Sequence, residues 1–332
     1  MMTEGLLLIT RGEVASLLDM AECIAAVEEA FRLHAEGESL APGVLETLTA
    51  DGGFHIKAAG LRHPGRAYFA AKVNGNFPLN AKKFGLPTIQ GVIVLCDAEQ
   101  GRPLAVLDSI EITALRTGAA TAVAARHLAR PDSKVATVAG CGVQGRVQLR
   151  ALAEVLPLER VYAFDRDEAR AADFAREMSH ELTAEVMPAR DLRGAAGTSD
   201  VCVTCTPSRH PILERGDVQH GTFVAAVGAD NPVKQEIDPA LMQSSKIVVD
   251  ILEQCAAIGD LRHALEARAV TRADVHAELG EIVAGRKPGR TSAEEIIIFD
   301  STGTALQDVA AAALVYERAL RSGTGLRLNL SD

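Results

Sequence analysis

The residues best suited to chemistry begin with Gly140-Cys-Gly-Val-Gln-Gly145, a G-x-G-x-x-G run that directly follows the β-branched stretch Val135-Ala-Thr-Val-Ala139. Apolar positions Val147, Leu152 and Val155 then recur at helical spacing, so the run sits between a strand and a helix, the context that gives the motif its meaning. Gly140 permits a tight turn, Gly142 lets the backbone approach a pyrophosphate, and Gly145 lets the helix pack close to the strand. The amides of Val143, Gln144 and Gly145 then face the phosphates at the helix N-terminus. A second strand ending in an acid is expected about 20 residues on, and Asp165 in Tyr162-Ala-Phe-Asp-Arg-Asp167 fits. A carboxylate there repels a 2′-phosphate and favours NAD, while Arg166 beside it leaves NADP open.

A nicotinamide site also needs a substrate clamp and a proton shuttle, for which no strict spacing exists. Lys72 projects from the otherwise apolar run Tyr68-Phe-Ala-Ala-Lys-Val73, on the face of Tyr68 and Ala70. Desolvation there lowers a lysine towards general-base use; a salt-bridged lysine is the alternative. Arg116, in Glu111-Ile-Thr-Ala-Leu-Arg-Thr-Gly118, is placed to grip a substrate carboxylate in bidentate fashion or to make an interdomain salt bridge. Asp230 follows Val227-Gly-Ala229 near the carboxyl end of a strand, where open parallel sheets place their ligands; the alternative is a helix or turn cap. Thr206 and Val227 end two such strands and join the cofactor-contacting candidates. Cys202 and Cys205 form a C-x-x-C, but in a β-rich run residues three apart point to opposite faces. With no paired-histidine spacing either, the chain is expected to hold no metal.

These residues need elements to hold them. At 332 residues with 48% hydrophobic content, the chain exceeds the roughly 250–300 residues at which single cores stop growing, so two domains are expected. The first 115 residues read as α+β: Asp19 caps a helix carrying Met20, Ile24, Val27 and Phe31, and Val92–Cys96 with Leu104–Leu107 flank a hairpin connection. From Thr117 the pattern becomes an Ala-rich helix to Ala129, then five short strands alternating with helices: Lys134–Ala139, Arg160–Phe164, Val201–Thr206, Thr222–Val227 and Ile247–Ile251. That rhythm predicts an α/β fold with a Rossmann-type parallel sheet. The stretch from Phe299, with a helix over Ala305–Arg321, can finish this domain or return to the first. A formal charge of −10 with scattered Lys and Arg argues against nucleic acid. No apolar stretch approaches the roughly 20 residues of a membrane span, the Met1–Thr10 start lacks a signal-peptide pattern, and a soluble, cytoplasmic protein with six reduced cysteines is expected.

Five separated motifs, Val73-Asn-Gly-Asn-Phe-Pro78, Gly85-Leu-Pro-Thr-Ile-Gln-Gly91, Ile112-Thr-Ala-Leu-Arg-Thr117, Val227-Gly-Ala-Asp-Asn-Pro232 and Phe299-Asp-Ser-Thr-Gly-Thr-Ala305, together resemble the ornithine cyclodeaminase/μ-crystallin family over nearly the whole chain. The resemblance implies a homodimer in which residues 1–115 and 305–332 form a smaller α+β domain for substrate binding and dimerisation, with a Rossmann domain over 116–304. It also implies that Lys72 and Arg116 bind the substrate carboxylate or assist proton transfer, that Thr88 lines the pocket, that Asp230 is the acid/base near the amine, and that Thr117 meets the cofactor phosphate. Ser301, within the last motif, joins the substrate-contacting set.

The implied chemistry is hydride transfer between an amino acid α-carbon and the nicotinamide through an imine. A cyclodeaminase, which is a lyase, adds ring closure and loss of ammonia with no net redox change; a reductase or dehydrogenase stops halfway. Two departures bear on the choice. Val44-Leu-Glu-Thr47 offers no arginine where the ornithine enzymes carry one, and His55-Ile-Lys-Ala58 stands where they carry an acid. Lys57, on the face of His55, can supply the positive charge, whereas His55 does not suit a cationic side-chain amine. An imine reductase or amino-acid dehydrogenase is therefore expected ahead of ornithine cyclodeaminase. A μ-crystallin-like protein that binds NAD(P)H or a ligand without turnover is the second alternative.

Overall fold

The computed structural model describes residues 5–63 and 65–330. The chain divides into two compact units, Met1–Arg116 with Thr304–Asp332, and Thr117–Gly303; positions 1–4 and 331–332 of the expected domain ranges lie outside the described residues.

The first unit is built on a seven-stranded sheet in the order Leu326–Leu328, Leu6–Ile9, Pro103–Asp108, Ile89–Asp97, Arg66–Asn76, Gly52–His63, Ser39–Thr49. Its long central strands pair antiparallel. Along Arg66–Asn76 the residues Tyr68, Ala70, Lys72 and Asn74 are buried while their neighbours are not, the period of two expected when one face packs on a core. Two helices cover that face. Met20–Glu36 begins where Asp19 Oδ1 accepts the Glu22 N–H at 2.9 Å and ends at Gly37 in the left-handed region. Ala305–Ser322 packs on it and on the central strands, so the C-terminal helix returns to the first unit.

In the second unit eight strands form an all-parallel sheet, ordered Val275–Glu278, Lys246–Val249, Ile297–Asp300, Phe223–Ala226, Val201–Thr204, Val135–Ala139, Arg160–Phe164, Glu185–Ala189. Val201–Thr204, Phe223–Ala226 and Ile297–Asp300 are buried at every position, as a sheet covered on both faces requires. The order is doubly wound: the chain moves one way from Val135–Ala139 to Arg160–Phe164 and Glu185–Ala189, then the other way from Val201–Thr204.

Three expectations need correction. Five strands were anticipated and eight occur; Glu185–Ala189 and Val275–Glu278 are edge strands, the first with Pro188, which is tolerated only at an edge, and Ile297–Asp300 places Phe299 in this sheet. The helix expected from Thr117 starts at Ile110, because Asp108 Oδ1 accepts the Ile110 N–H at 2.9 Å and opens the helix ahead of its β-branched first turn. Finally, Val201–Thr206 and Thr222–Val227 end as strands at Thr204 and Ala226, so Thr206 and Val227 lie in the loops beyond them. No described helix is long and apolar enough to cross a membrane.

Candidate functional site

The glycine run of the second unit forms a cradle. Gly140 has φ +106°, a left-handed conformation that suits glycine. A Cβ on Gly145 would clash with the Gly140 carbonyl, whereas one on Gly142 would meet nothing within 4 Å. The first glycine is thus required by the turn, the last by protein packing, and the middle one borders open space, which fits a pyrophosphate approaching the backbone. Gly142 caps the helix Val143–Ala153, and its first intrahelical bond runs from Arg146 N–H to Gly142 O at 3.3 Å. The amides of Val143, Gln144 and Gly145 precede that ladder and carry the positive end of the helix dipole. Gln144 Oε1 is a buried acceptor without a partner among the described residues.

Asp165 follows the neighbouring strand and accepts the Cys141 N–H at 3.0 Å through Oδ2 and the Asp167 N–H at 3.0 Å through Oδ1. The acid therefore ties its strand end to the glycine loop while staying within reach of solvent; Arg166 is exposed beside it. On the other side of the glycine loop, Thr206 gives both its N–H and its hydroxyl to Glu236. Val227 N–H donates to Thr204 O at 2.9 Å. Thr117 is half-buried on Ile110–Leu128.

A second cluster belongs to the first unit. Lys72 Nζ lies 2.8 Å from Asp308 Oδ2 and 2.9 Å from Oδ1, with Thr113 Oγ1 at 3.4 Å. Arg116 donates from Nε to Asp308 Oδ1 at 3.0 Å and from Nη1 to Gln307 Oε1 at 2.8 Å. Lys57 stands directly opposite Lys72 on the adjacent strand, and all four charged side chains are under 9% exposed. Burial pulls the Lys72 ammonium down to about 7, with Asp308 opposing and Arg116 and Lys57 adding to the fall. Asp308 is below the usual carboxylate range: burial works against its charge, but Lys72 and Arg116 outweigh it. The cluster combines a lysine that changes protonation near neutrality with a preponderance of positive charge, the pattern that suits a carboxylate-bearing ligand and proton transfer.

The other expected site residues are placed as follows. His55 shares the inward face of Gly52–His63 with Lys57, and its Nδ1 is 3.5 Å from Glu46 Oε1. An acid therefore does stand beside His55, on the neighbouring strand. Thr88 is exposed just before Ile89–Asp97, its carbonyl accepting the Phe77 N–H at 2.8 Å. Asp230 is exposed in the second unit, where its Oδ1 accepts from Lys234 Nζ at 2.7 Å and Asn231 Nδ2 at 3.2 Å. Ser301 is buried, its hydroxyl 3.3 Å from Asp250 Oδ2. Cys202 and Cys205 direct their thiols to different carbonyls, Ala196 O and Gly140 O; among the described residues no group of acids, histidines and cysteines is arranged to hold a metal ion.

Asp308 and Gln307 escaped the sequence reading. Their signal is a lone acid beside an amide on the buried face of an otherwise Ala-, Val- and Leu-rich helix, where an unpaired carboxylate would be too costly to persist.

The family model described as the ornithine cyclodeaminase/mu-crystallin family matches residues 6–323. The chain is 42% identical over 323 residues to alanine dehydrogenase of Archaeoglobus fulgidus, covering 97% of this chain and 98% of that protein. Among solved structures, an archaeal alanine dehydrogenase dimer with bound NAD superposes with TM-score 0.93 at 41% identity, covering 98% and 99% of the two chains. Thermococcus litoralis Δ1-pyrroline-2-carboxylate reductase, solved with NADH and L-proline, superposes with TM-score 0.92 at 36% identity, covering 97% and 100%.

Proposed function

The chain belongs to the ornithine cyclodeaminase/μ-crystallin family, and from that premise we propose that it is an NAD-dependent oxidoreductase interconverting a small amino acid and its imine. The observation that carries the reading is the buried gathering of Lys57, Lys72 and Arg116 around Asp308, in a chain that also holds a glycine cradle for a dinucleotide. NAD, when bound, supplies the acceptor for a hydride from the α-carbon and in reduced form the donor. Gly140, Gly142 and Gly145 admit its pyrophosphate to the amides of Val143 and Gln144, and Asp165 favours an unphosphorylated ribose. Arg116, fixed by Asp308 and Gln307, offers its remaining N–H groups to the substrate carboxylate, with Lys57 adding charge. Lys72, poised near pH 7, takes or returns a proton, and Asp230 serves as acid/base at the amine, as the family resemblance implies.

A second reading, cyclisation of a diamino acid with catalytic NAD, draws on one observation: Glu46 beside His55 provides an acid for a cationic side-chain amine. We further propose a homodimer, consistent with the dimer reported for the archaeal relative. The deciding assay follows NADH consumption by absorbance with pyrroline-2-carboxylate, other cyclic imines, and 2-oxo acids with ammonia. Turnover with one of them is expected. Conversion of L-ornithine to proline without net NADH change would favour the second reading, and inactivity in both assays would overturn the enzyme reading.

A further inference from the structure

The strands Val201–Thr204 and Phe223–Ala226 lie side by side, on the opposite side of Val135–Ala139 from Arg160–Phe164. One side chain grips the chain as it leaves both. Glu236 Oε1 accepts the Thr206 N–H at 2.6 Å and the Thr206 hydroxyl at 2.7 Å, and Oε2 accepts the Gly228 N–H at 2.8 Å. Glu236 is 0% exposed and sits in the short strand Gln235–Ile237, which is itself held: the Glu236 and Ile237 amides donate to Asp260 Oδ1 at 2.8 and 2.9 Å. Gly228 is shaped to the grip, since a Cβ there would clash with the Glu236 carboxylate and the Thr206 carbonyl.

A carboxylate buried this completely carries a large desolvation penalty, here offset in part by two N–H groups and one O–H. An apolar side chain would pack the same space without that penalty but would leave the two loop ends untied. In a doubly wound sheet a dinucleotide lies across the strand ends at the point where the order reverses. With Asp165 marking the adenosine ribose and Gly140–Gly145 the pyrophosphate, the nicotinamide half falls on the Thr206 and Gly228 side.

Resting on the dinucleotide site proposed above, we propose that Glu236 is a positioning residue for the nicotinamide half of the cofactor, fixing the Thr206 and Gly228 loops that receive it, without touching the adenosine half. ADP, which carries only the adenosine and phosphate portion, is the discriminating probe. Glu236→Gln places an amide NH2 or its single oxygen where three donors need acceptors, so one loop is released. With the fold checked by circular dichroism, the NADH Kd of the variant is expected to rise about tenfold, while the ADP Kd is unchanged. Equal weakening of both ligands, or weakening of neither, overturns the proposal. Where the Gln variant fails to fold, Glu236→Asp keeps the charge but withdraws it by one methylene, and the same split between NADH and ADP is required of it. A wild-type protein that binds neither NADH nor ADP would instead overturn the dinucleotide site itself.

Discussion

Lys72 can lose its proton near neutrality because it is buried opposite Lys57 and beside Arg116, with Asp308 alone opposing the loss. Its ordinary value is 10.5 and its folded value about 7, so the neutral amine dominates only above about 7. If Lys72 acts as the base in amino-acid oxidation, kcat/KM in that direction rises with pH through about 7. Asp308→Asn removes the group that resists deprotonation, so the rising limb is expected to move to lower pH by about one unit or more. A pH–rate profile of the two proteins checks this, and a limb that stays in place would show that Lys72 is not the titrating group. Arg116 makes a different demand. Its Nε and Nη1 are held by Asp308 and Gln307, which leaves the planar fork oriented, and a lysine in its place cannot reproduce that geometry. Arg116→Lys is therefore expected to raise KM for the carboxylate substrate about tenfold or more, read from initial rates, with Lys72's pH limb retained.

At the scale of elements, the legible parts were those whose chemistry is local in the chain. The glycine cradle spans six consecutive residues; the turn accounts for Gly140 and helix–strand packing for Gly145, both within one strand and its helix, while Gly142 borders open space. The alternation along Arg66–Asn76 placed Lys72 inward for the same reason. The ion pair that gives Lys72 its meaning joins residues 236 positions apart, and no periodicity announces such a partner. The carboxylates of the second unit were equally hidden. Glu236, Asp260 and Asp300 come from separate elements and meet only when Gln235–Ile237 docks near the strand ends. Burial pushes the Glu236 carboxyl up to about 7 and Asp260 to about 6, and raises Asp300; Cys205 also faces Glu236. For a carboxyl whose folded value lies above its ordinary 4.5, the native state binds the extra proton between the two values. Its stabilising contribution is then complete below 4.5 and is lost as pH rises through about 7. Wild-type Tm is expected to carry a downward component over that window that Glu236→Gln lacks, so wild-type Tm minus variant Tm falls as pH rises. Parallel Tm–pH curves would mean that Glu236 does not titrate there.

At the scale of the molecule, the outer face of the first unit's sheet asks for a cover. Leu45, Ile56, Val73 and Val92 are register partners across four adjacent strands, forming one apolar row on the face opposite Lys57 and Lys72. Leu45 is 59% and Val92 42% exposed, and Phe54 on the same face is 42% exposed. A contiguous apolar band of this kind is characteristic of an interface rather than a solvated surface. A two-fold pairing would bury the same row on both copies, as the homodimer proposed above requires. Leu45→Glu combined with Val92→Glu puts four carboxylates into such an interface at a point where nothing on the row can pair with them. The variant is expected to run as a monomer by light scattering while the wild type runs as a dimer, with NADH binding to the second unit retained. A dimer that survives both substitutions would place the contact on another surface. Loss of turnover in the monomer, with NADH still bound, would tie the substrate cluster of the first unit to the assembly, since Lys57 and Lys72 sit on the same strands as Ile56 and Val73 and feel any shift in their register.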